Sequence, residues 1–140
     1  MIYVDTSVLV ALCTNEPKSA AAAKWYAACA DEFVSAAWCV TEFASALGIK
    51  RRTGQITSQQ AASAWQSFER LCANDLQLLP VDPSTFHRAA VLSLDASSSL
   101  RAGDALHLAA ALDAKAKSMV TLDEVLGRNA KALKLKQIPF

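Results

Sequence analysis

Four acidic residues, Asp5, Glu42, Asp104 and Asp123, stand in settings where an acid is hard to explain by surface solubility alone. Asp5 and Asp123 each follow a short run of β-prone residues, Ile2-Tyr3-Val4 and Ser118-Met119-Val120-Thr121, and each precedes a helical pattern. An acid there ordinarily serves as a helix N-cap or first-turn charge. Thr6 and Ser7 offer caps of their own, however, and the same placement recurs at a second strand end. Asp104 opens a helix made otherwise of Ala, Leu and His. Dipole stabilisation of about 0.3–1 kcal/mol accounts for many first-turn acids. A helix apolar on nearly all sides nevertheless starts close to the core, where a carboxylate needs a cation or donors to stay charged. Glu42 lacks the Lys or Arg three or four residues away that commonly accompanies a surface Glu on a helix. Its neighbours at those spacings are Trp38, Cys39, Ser45 and Ala46.

Carboxylates gathered in one place raise one another's pKa, so such a cluster persists mainly when a cation neutralises it. Magnesium is the natural occupant, with manganese as a substitute. Hard cations take oxygen ligands, and magnesium keeps several waters beside one or two carboxylates, leaving room for a phosphate oxygen. A cation so held acidifies water and stabilises a leaving oxygen, so the implied reaction is hydrolysis of a phosphodiester. Hydroxyls at Thr6 and Thr121 stand behind the acids, and Thr121, two residues before Asp123, is placed to orient that carboxylate. Arg101 either holds a substrate phosphate or pairs with Asp104. His107, one helical turn after Asp104, is expected to be a hydrogen-bonded core histidine, because an all-oxygen site needs no imidazole. His87 reads as a plain helix residue.

The 140 residues fit one domain, 1–140, with 53% apolar residues rich in Ala. Apolar stretches break well before the roughly 20 residues a membrane helix needs, and the first residues lack a secretory pattern. A cytoplasmic protein with no membrane partner is expected. Cys13, Cys29, Cys39 and Cys72 show neither C-x-x-C pairing nor zinc-ligand spacing, so mostly buried free thiols are expected. The net charge of +1 is neutral evidence, but withdrawing four of 13 acids into a pocket leaves nine against 14 Lys and Arg. The remaining surface is then modestly basic, which suits a polyanion. Lys50-Arg51-Arg52 and Lys131, Lys134 and Lys136 read as solvated charge beside helix ends.

The elements that must position the acids follow from punctuation and periodicity. Strands are expected at 2–5, 33–35, 76–81, 118–121 and 135–138, the third tempered by Pro80. Helices are expected from Thr6 through Leu12, Pro17 to about Ala30, Ala36 to Arg52, Thr57 to Asn74, Pro83 to the Ser97-Ser98-Ser99 run, Ala105 to Ala114, and Leu122 to about Leu133. Core stripes are assigned to Val40, Phe43, Ala44 and Leu47, to Ala61, Trp65, Phe68 and Cys72, and to Phe86, Ala90 and Leu94. Trp25, Trp38 and Trp65 fit core or dimer contact better than base stacking. Alternation without hairpin turns implies a parallel sheet covered on both faces, a three-layer α/β/α architecture. Sites in such sheets lie outside the carboxyl ends of the strands.

Taken together, Ile2-Tyr3-Val4-Asp5-Thr6-Ser7, Thr41-Glu42, Leu100-Arg101-Ala102-Gly103-Asp104-Ala105-Leu106-His107-Leu108-Ala109 and Val120-Thr121-Leu122-Asp123 resemble the PIN-domain nucleases. The likeness spans almost the whole chain and is closest to the small VapC-type ribonuclease toxins of bacterial toxin-antitoxin modules. It implies that Asp5 and Asp104 are the principal metal ligands, with Glu42 and Asp123 completing the pocket directly or through water. It also implies endonucleolytic cleavage of RNA, a homodimer and a cognate VapB-type antitoxin. Gly103 departs from the pattern, where a bulkier residue is common, and is expected to loosen that turn. An aspartyl-nucleophile phosphatase would need a second Asp where Ser7 stands, and the paired N-terminal acids and mid-chain acceptor Asp of a phosphoacceptor domain are not evident. The rival of another class is a catalytically silent RNA-binding or partner-binding module on the same fold.

Overall fold

The computed structural model describes residues 1–140, and five short parallel strands form its centre. They are β1 (Ile2–Val4), β2 (Phe33–Ala36), β3 (Leu76–Leu79), β4 (Ser118–Val120) and β5 (Lys136–Gln137), in the order β3-β2-β1-β4-β5. Seven helices surround them: α1 (Thr6–Cys13), α2 (Ser19–Ala28), α3 (Trp38–Arg52), α4 (Ser58–Asn74), α5 (Pro83–Leu94), α6 (Ala102–Asp113) and α7 (Glu124–Ala132). No helix is long and apolar enough to cross a membrane.

The pleat of β1 divides the interior into two cores, because successive side chains point to opposite faces. Ile2 and Val4 join Val8, Leu9, Phe43, Leu47, Ala64 and Phe68 on the face covered by α1, α3 and α4. Tyr3 joins Ala105, Leu108, Ala109, Leu126 and Ala130 on the face covered by α6 and α7. The expected three-layer α/β/α arrangement is therefore present. Every residue of β1 and β2 is buried, as both-face coverage requires. The run Ala105–Ala111 of α6 is buried throughout, which explains why that helix carries no outer polar face.

Chain order and sheet order part company at one place. From β3, on one edge, the chain runs through α5 and α6 and returns as β4 on the far side of β1. Neighbouring strands β1 and β4 thus send their following segments in different directions, which opens a crevice at their carboxyl ends. The two stay in register from Ile2 beside Ser118 to Val4 beside Val120, so residues just beyond them emerge together.

Local expectations hold with most ends trimmed, although α6 begins earlier than expected, at Ala102, and β2 runs on to Ala36. The capping box at Thr57 and Gln60 is formed, with both reciprocal bonds present. β3 stops at Leu79, before Pro80, which has no N–H to give a neighbouring strand. Two core stripes differ from the expected ones. In α3 the buried residues are Cys39, Phe43 and Leu47, while Ala44 is exposed. In α5 the rotation is larger: Thr85 and Ala89 are buried, whereas Phe86, Ala90 and Leu94 face outward. Thr85 Oγ1 donates to Asp113 Oδ2 at 2.7 Å and Arg88 donates to Asp113 Oδ1 at 2.5 Å, fixing the small face of α5 against Ala-rich α6. The four thiols are free, but only Cys39 is buried and the other three are half-buried. Trp25 stacks on Phe140, and Trp65 packs against Phe43 and Phe68, so both serve the interior.

Candidate active site

All four acids line one open groove of about 500 Å³ at the carboxyl end of the sheet, together with Thr6, Ser7, Val10, Glu16, Ala46, Ile49, Lys50, Gln55 and Leu122. Asp5 follows β1 and accepts from Ser7 N at 3.3 Å, a long cap bond at the start of α1. Its Oδ2 also accepts from Ser7 Oγ at 2.5 Å and Thr121 Oγ1 at 2.9 Å. Ser7 Oγ in turn accepts from Leu122 N at 3.0 Å, tying the segment after β4 to the one after β1. The Asp5 carboxylate is buried, with Oδ2 fully engaged by donors. Asp123 follows β4, is exposed, and caps α7 by accepting from Leu126 N at 2.7 Å through Oδ1. The expected capping roles of both aspartates are thus realised, each through one oxygen, beside the groove.

Thr121 serves a different acid from the one expected. Its hydroxyl donates to Asp5 and accepts from the backbone N–H of Asp123 at 3.0 Å, so it orients Asp5 and the turn into α7, not the Asp123 carboxylate. Thr6 donates to Glu42 Oε2 at 2.6 Å. Arg101 lies at the start of α6, exposed, and forms no ion pair with Asp104. It is also absent from the groove lining.

Glu42 reaches the site from α3 and meets α6 there. His107 Nε2 hydrogen-bonds Glu42 Oε2 and lies 3.0 Å from Thr6 Oγ1 and 3.7 Å from Asp5 Oδ1. The other ring nitrogen, Nδ1, lies 2.8 Å from the Tyr3 hydroxyl, which accepts from Ala36 N at 3.0 Å. Gly103 makes this approach possible. A Cβ at that position would stand 2.8 Å from Glu42 Oε1 and 3.5 Å from Trp38 Nε1. Gly103 therefore makes room for a carboxylate; its role is not the loosening of a turn.

Electrostatics separate the acids. Burial, followed by the charges of Asp123, Asp5 and Glu42, pushes Asp104 up to about 6. Burial also works against ionised Glu42, but the hydrogen bonds from His107 and Thr6 and the positive charge of protonated His107 outweigh it and hold Glu42 below its ordinary value. For His107, burial disfavours the imidazolium, while Glu42, Asp5 and Asp104 overcome it and raise its pKa. No Lys or Arg comes within ion-pair distance of any of the four acids. As placed, no three His, Cys, Asp or Glu side chains converge closely enough to grip one cation unaided. An oxygen-only donor set of this spacing fits a strongly hydrated divalent ion that completes its shell with water.

Tyr3, Ser7, His107 and the Lys50–Glu16 pair, at 2.6 Å on the groove wall, were not legible as site residues by spacing. A signal existed for two of them. A tyrosine in a strand buried on both faces and a histidine in an apolar helix each need a partner for a polar tip.

A crevice at a strand-order reversal, here floored by acids from the ends of neighbouring strands and from two helices, is where α/β proteins with open parallel sheets place their ligands. The PIN-domain family model matches residues 2–132, and the chain belongs to that family. Solved structures show the same fold. Mycobacterium tuberculosis VapC20, described as a toxin that cleaves the Sarcin-Ricin loop, superposes with a TM-score of 0.75 at 18% identity, covering 92% of this chain and 95% of its own. Rickettsia felis VapBC2, solved with a promoter DNA fragment, gives 0.65 at 15% identity over 99% of this chain and 98% of that one. FitAcB from Neisseria gonorrhoeae gives 0.66 at 14% identity over 99% and 97%. No curated protein matches the sequence.

Proposed function

We propose that the protein is a divalent-metal-dependent endoribonuclease, the toxin of a VapBC-type toxin-antitoxin module, acting through Asp5, Glu42, Asp104 and Asp123. One observation carries this reading: burial and the other three carboxylates push Asp104 up, with no Lys or Arg in ion-pair reach of the four acids and only the charge of His107 opposing. Such repulsion is tolerated where a cation is to be held. Asp5 and Asp104 would hold magnesium, or manganese in its place, and Glu42 and Asp123 would complete the site directly or through water. When bound, the ion supplies the positive charge that acidifies an attacking water and offsets charge on the phosphate.

The chain's own groups do the rest. Ser7 and Thr121 engage Oδ2 of Asp5, while Oδ1 accepts no hydrogen bond and has His107 Nε2 3.7 Å away. Thr6 and His107 both bond Oε2 of Glu42, which leaves Oε1 available beside the start of α6. The groove is open, as a polymer substrate requires, and Lys50 lines it, paired with Glu16. Two further expectations have support. The neighbours include toxin–antitoxin complexes, which favours a VapB-type antitoxin as partner. The outward stripe of α5, with Phe86, Val91 and Leu94 exposed at 53%, 55% and 82%, favours a homodimer.

Purified protein is expected to cut RNA internally in magnesium or manganese, to stop on chelation, and to lose at least about 100-fold in rate as Asp104→Asn, the loss typical of removing a transition-state charge stabiliser. Gel and end-mapping assays on the same RNA read all three. Undiminished cleavage by folded Asp104→Asn overturns the assignment, and RNA binding without cleavage by the wild type would favour the silent module.

A further inference from the structure

Three residues on three layers are joined in one chain, with Tyr3 and His107 behind Glu42. Tyr3 belongs to β1 and is fully buried on the α6 side of the sheet. His107 belongs to α6 and is likewise fully buried. Glu42 comes from α3, whose apolar stripe packs on the opposite face of the sheet. The connection runs round the carboxyl end of β1 by hydrogen bonds alone.

The donors and acceptors in this chain place a proton on Nε2 of His107 whether the ring is neutral or charged. In the charged ring Nδ1–H donates to the Tyr3 hydroxyl, and in the neutral ring the hydroxyl donates to Nδ1. The Tyr3 hydroxyl accepts from Ala36 N, so its single O–H is free to donate to His107 Nδ1 at 2.8 Å. A neutral ring that accepts at Nδ1 carries its proton on Nε2. A charged ring carries one there as well. In either state Nε2–H is aimed at Glu42 Oε2, to which Thr6 Oγ1 also donates at 2.6 Å. Both donors fall on the same oxygen, so the carboxylate is held with a fixed rotation and Oε1 is left beside Gly103 and Asp104.

We infer that Tyr3 and His107 form a buried positioning pair that orients Glu42 for metal binding, acting from behind the site without touching the ion or the RNA. The inference rests on the metal-site reading above, and it concerns residues that reading does not use. Partners of this kind fix the rotation and donor oxygen of a ligand, and losing one typically lowers metal affinity about 10–100-fold. A purely structural histidine in the same place would affect melting and nothing else.

The test uses the whole chain and manganese alone as the probe. His107→Leu is expected to bind Mn2+ about 10-fold more weakly by calorimetry or EPR, and His107→Gln, whose amide N–H can replace Nε2–H, is expected to recover most of the loss. Wild-type Mn2+ affinity in folded His107→Leu overturns the inference. Should His107→Leu fail to fold, Tyr3→Phe keeps the ring volume and removes only the hydroxyl. It is expected to weaken Mn2+ binding several-fold, and unchanged affinity there overturns the inference equally.

A readout independent of metal comes from long-range 1H–15N spectra of the wild type. With two histidines in the chain, the exposed His87 is assigned by His87→Asn. His107 is expected to show a protonated Nε2, and a ring protonated on Nδ1 alone overturns the pair. If the wild type binds no Mn2+, the metal-site reading fails by itself, while the tautomer still decides the hydrogen-bond chain.

Discussion

At Asp104 two demands conflict, and the conflict is measurable. Its pKa is pushed from 3.8 to about 6, first by burial and then by Asp123, Asp5 and Glu42. Between those values the folded chain keeps a proton that the unfolded chain has lost. Stability from this group therefore falls as pH rises from about 4 to about 6, and the penalty is complete above that. Glu42, held low, contributes in the opposite sense: its stabilisation is present above its ordinary value and is lost as pH falls through the depressed one. His107, raised, stabilises below its ordinary value and ceases to do so as pH climbs through the folded one. Without metal, Asp104→Asn should melt above wild type by about 3–5 °C near neutral pH, roughly what 1 kcal/mol gives in a domain of this length. Differential scanning fluorimetry from acid to neutral should show that gap closing toward about pH 4, where both side chains are uncharged. Magnesium should then raise wild type more than the variant, because only a ligand that binds the folded state shifts melting. A constant gap at all pH values would mean that burial and packing, not charge, set the difference. Asp5 is a poorer choice for this comparison, since Asp5→Asn also disturbs bonds from Ser7 and Thr121.

The start of α6 shows how an element can conflict with its own propensity. Glycine within a helix costs about 0.8–1 kcal/mol relative to alanine, yet Gly103 stands at the second position of α6. The reason is the adjacent α3, whose Glu42 Oε1 would be 2.8 Å from an added Cβ. A carboxylate end can swing away, so Gly103→Ala should leave α6 in place while turning Glu42 off its bonds to Thr6 and His107. The buried His107 N–H left unpaired should lower the melting temperature by a few degrees, offsetting the gain in helix propensity. Cleavage is expected to fall by about 10-fold, in line with the loss of an orienting contact. Unchanged cleavage with unchanged melting would mean that Glu42 keeps its bonds and that the start of α6 gives way instead. This is also where the sequence reading reached its limit. Strand-end aspartates and the apolar helix behind Asp104 follow from local pattern, so the parallel sheet and its layers were legible there, while the gathering of four acids into one site came from the resemblance to the PIN-domain nucleases. What Gly103, Thr121 and His107 do depends on which residue of another element stands opposite, and no local pattern carries that. The α5 stripe failed for a related reason. Two apolar faces coexist in Phe86–Leu94, and the one that turns inward is the one that packs Ala89 on α6 and bonds Asp113 through Thr85 and Arg88.

That choice shapes the whole molecule, because turning Thr85 and Ala89 inward leaves Phe86, Val91 and Leu94 on the outside. Phe86 and Ala90 border an apolar groove of about 240 Å³ with Trp38, Ala102, Gly103 and Leu106, so the outer stripe runs to the back of the acidic site. Large apolar side chains this exposed on one helix mark a candidate contact surface. In a two-fold dimer the same patch meets itself, so one substitution acts twice across the interface. Leu94 is the most exposed of the three and ends α5, away from the Thr85 and Arg88 contacts that hold the helix on α6. Leu94→Asp should therefore leave the fold and the single-chain melting transition intact while placing two carboxylates in the dimer contact. Sedimentation velocity in the micromolar range is expected to show a dimer for wild type and a monomer for Leu94→Asp, with Phe86→Asp giving the same result. A dimer that survives both substitutions would move the interface off α5, and a wild-type monomer would remove it.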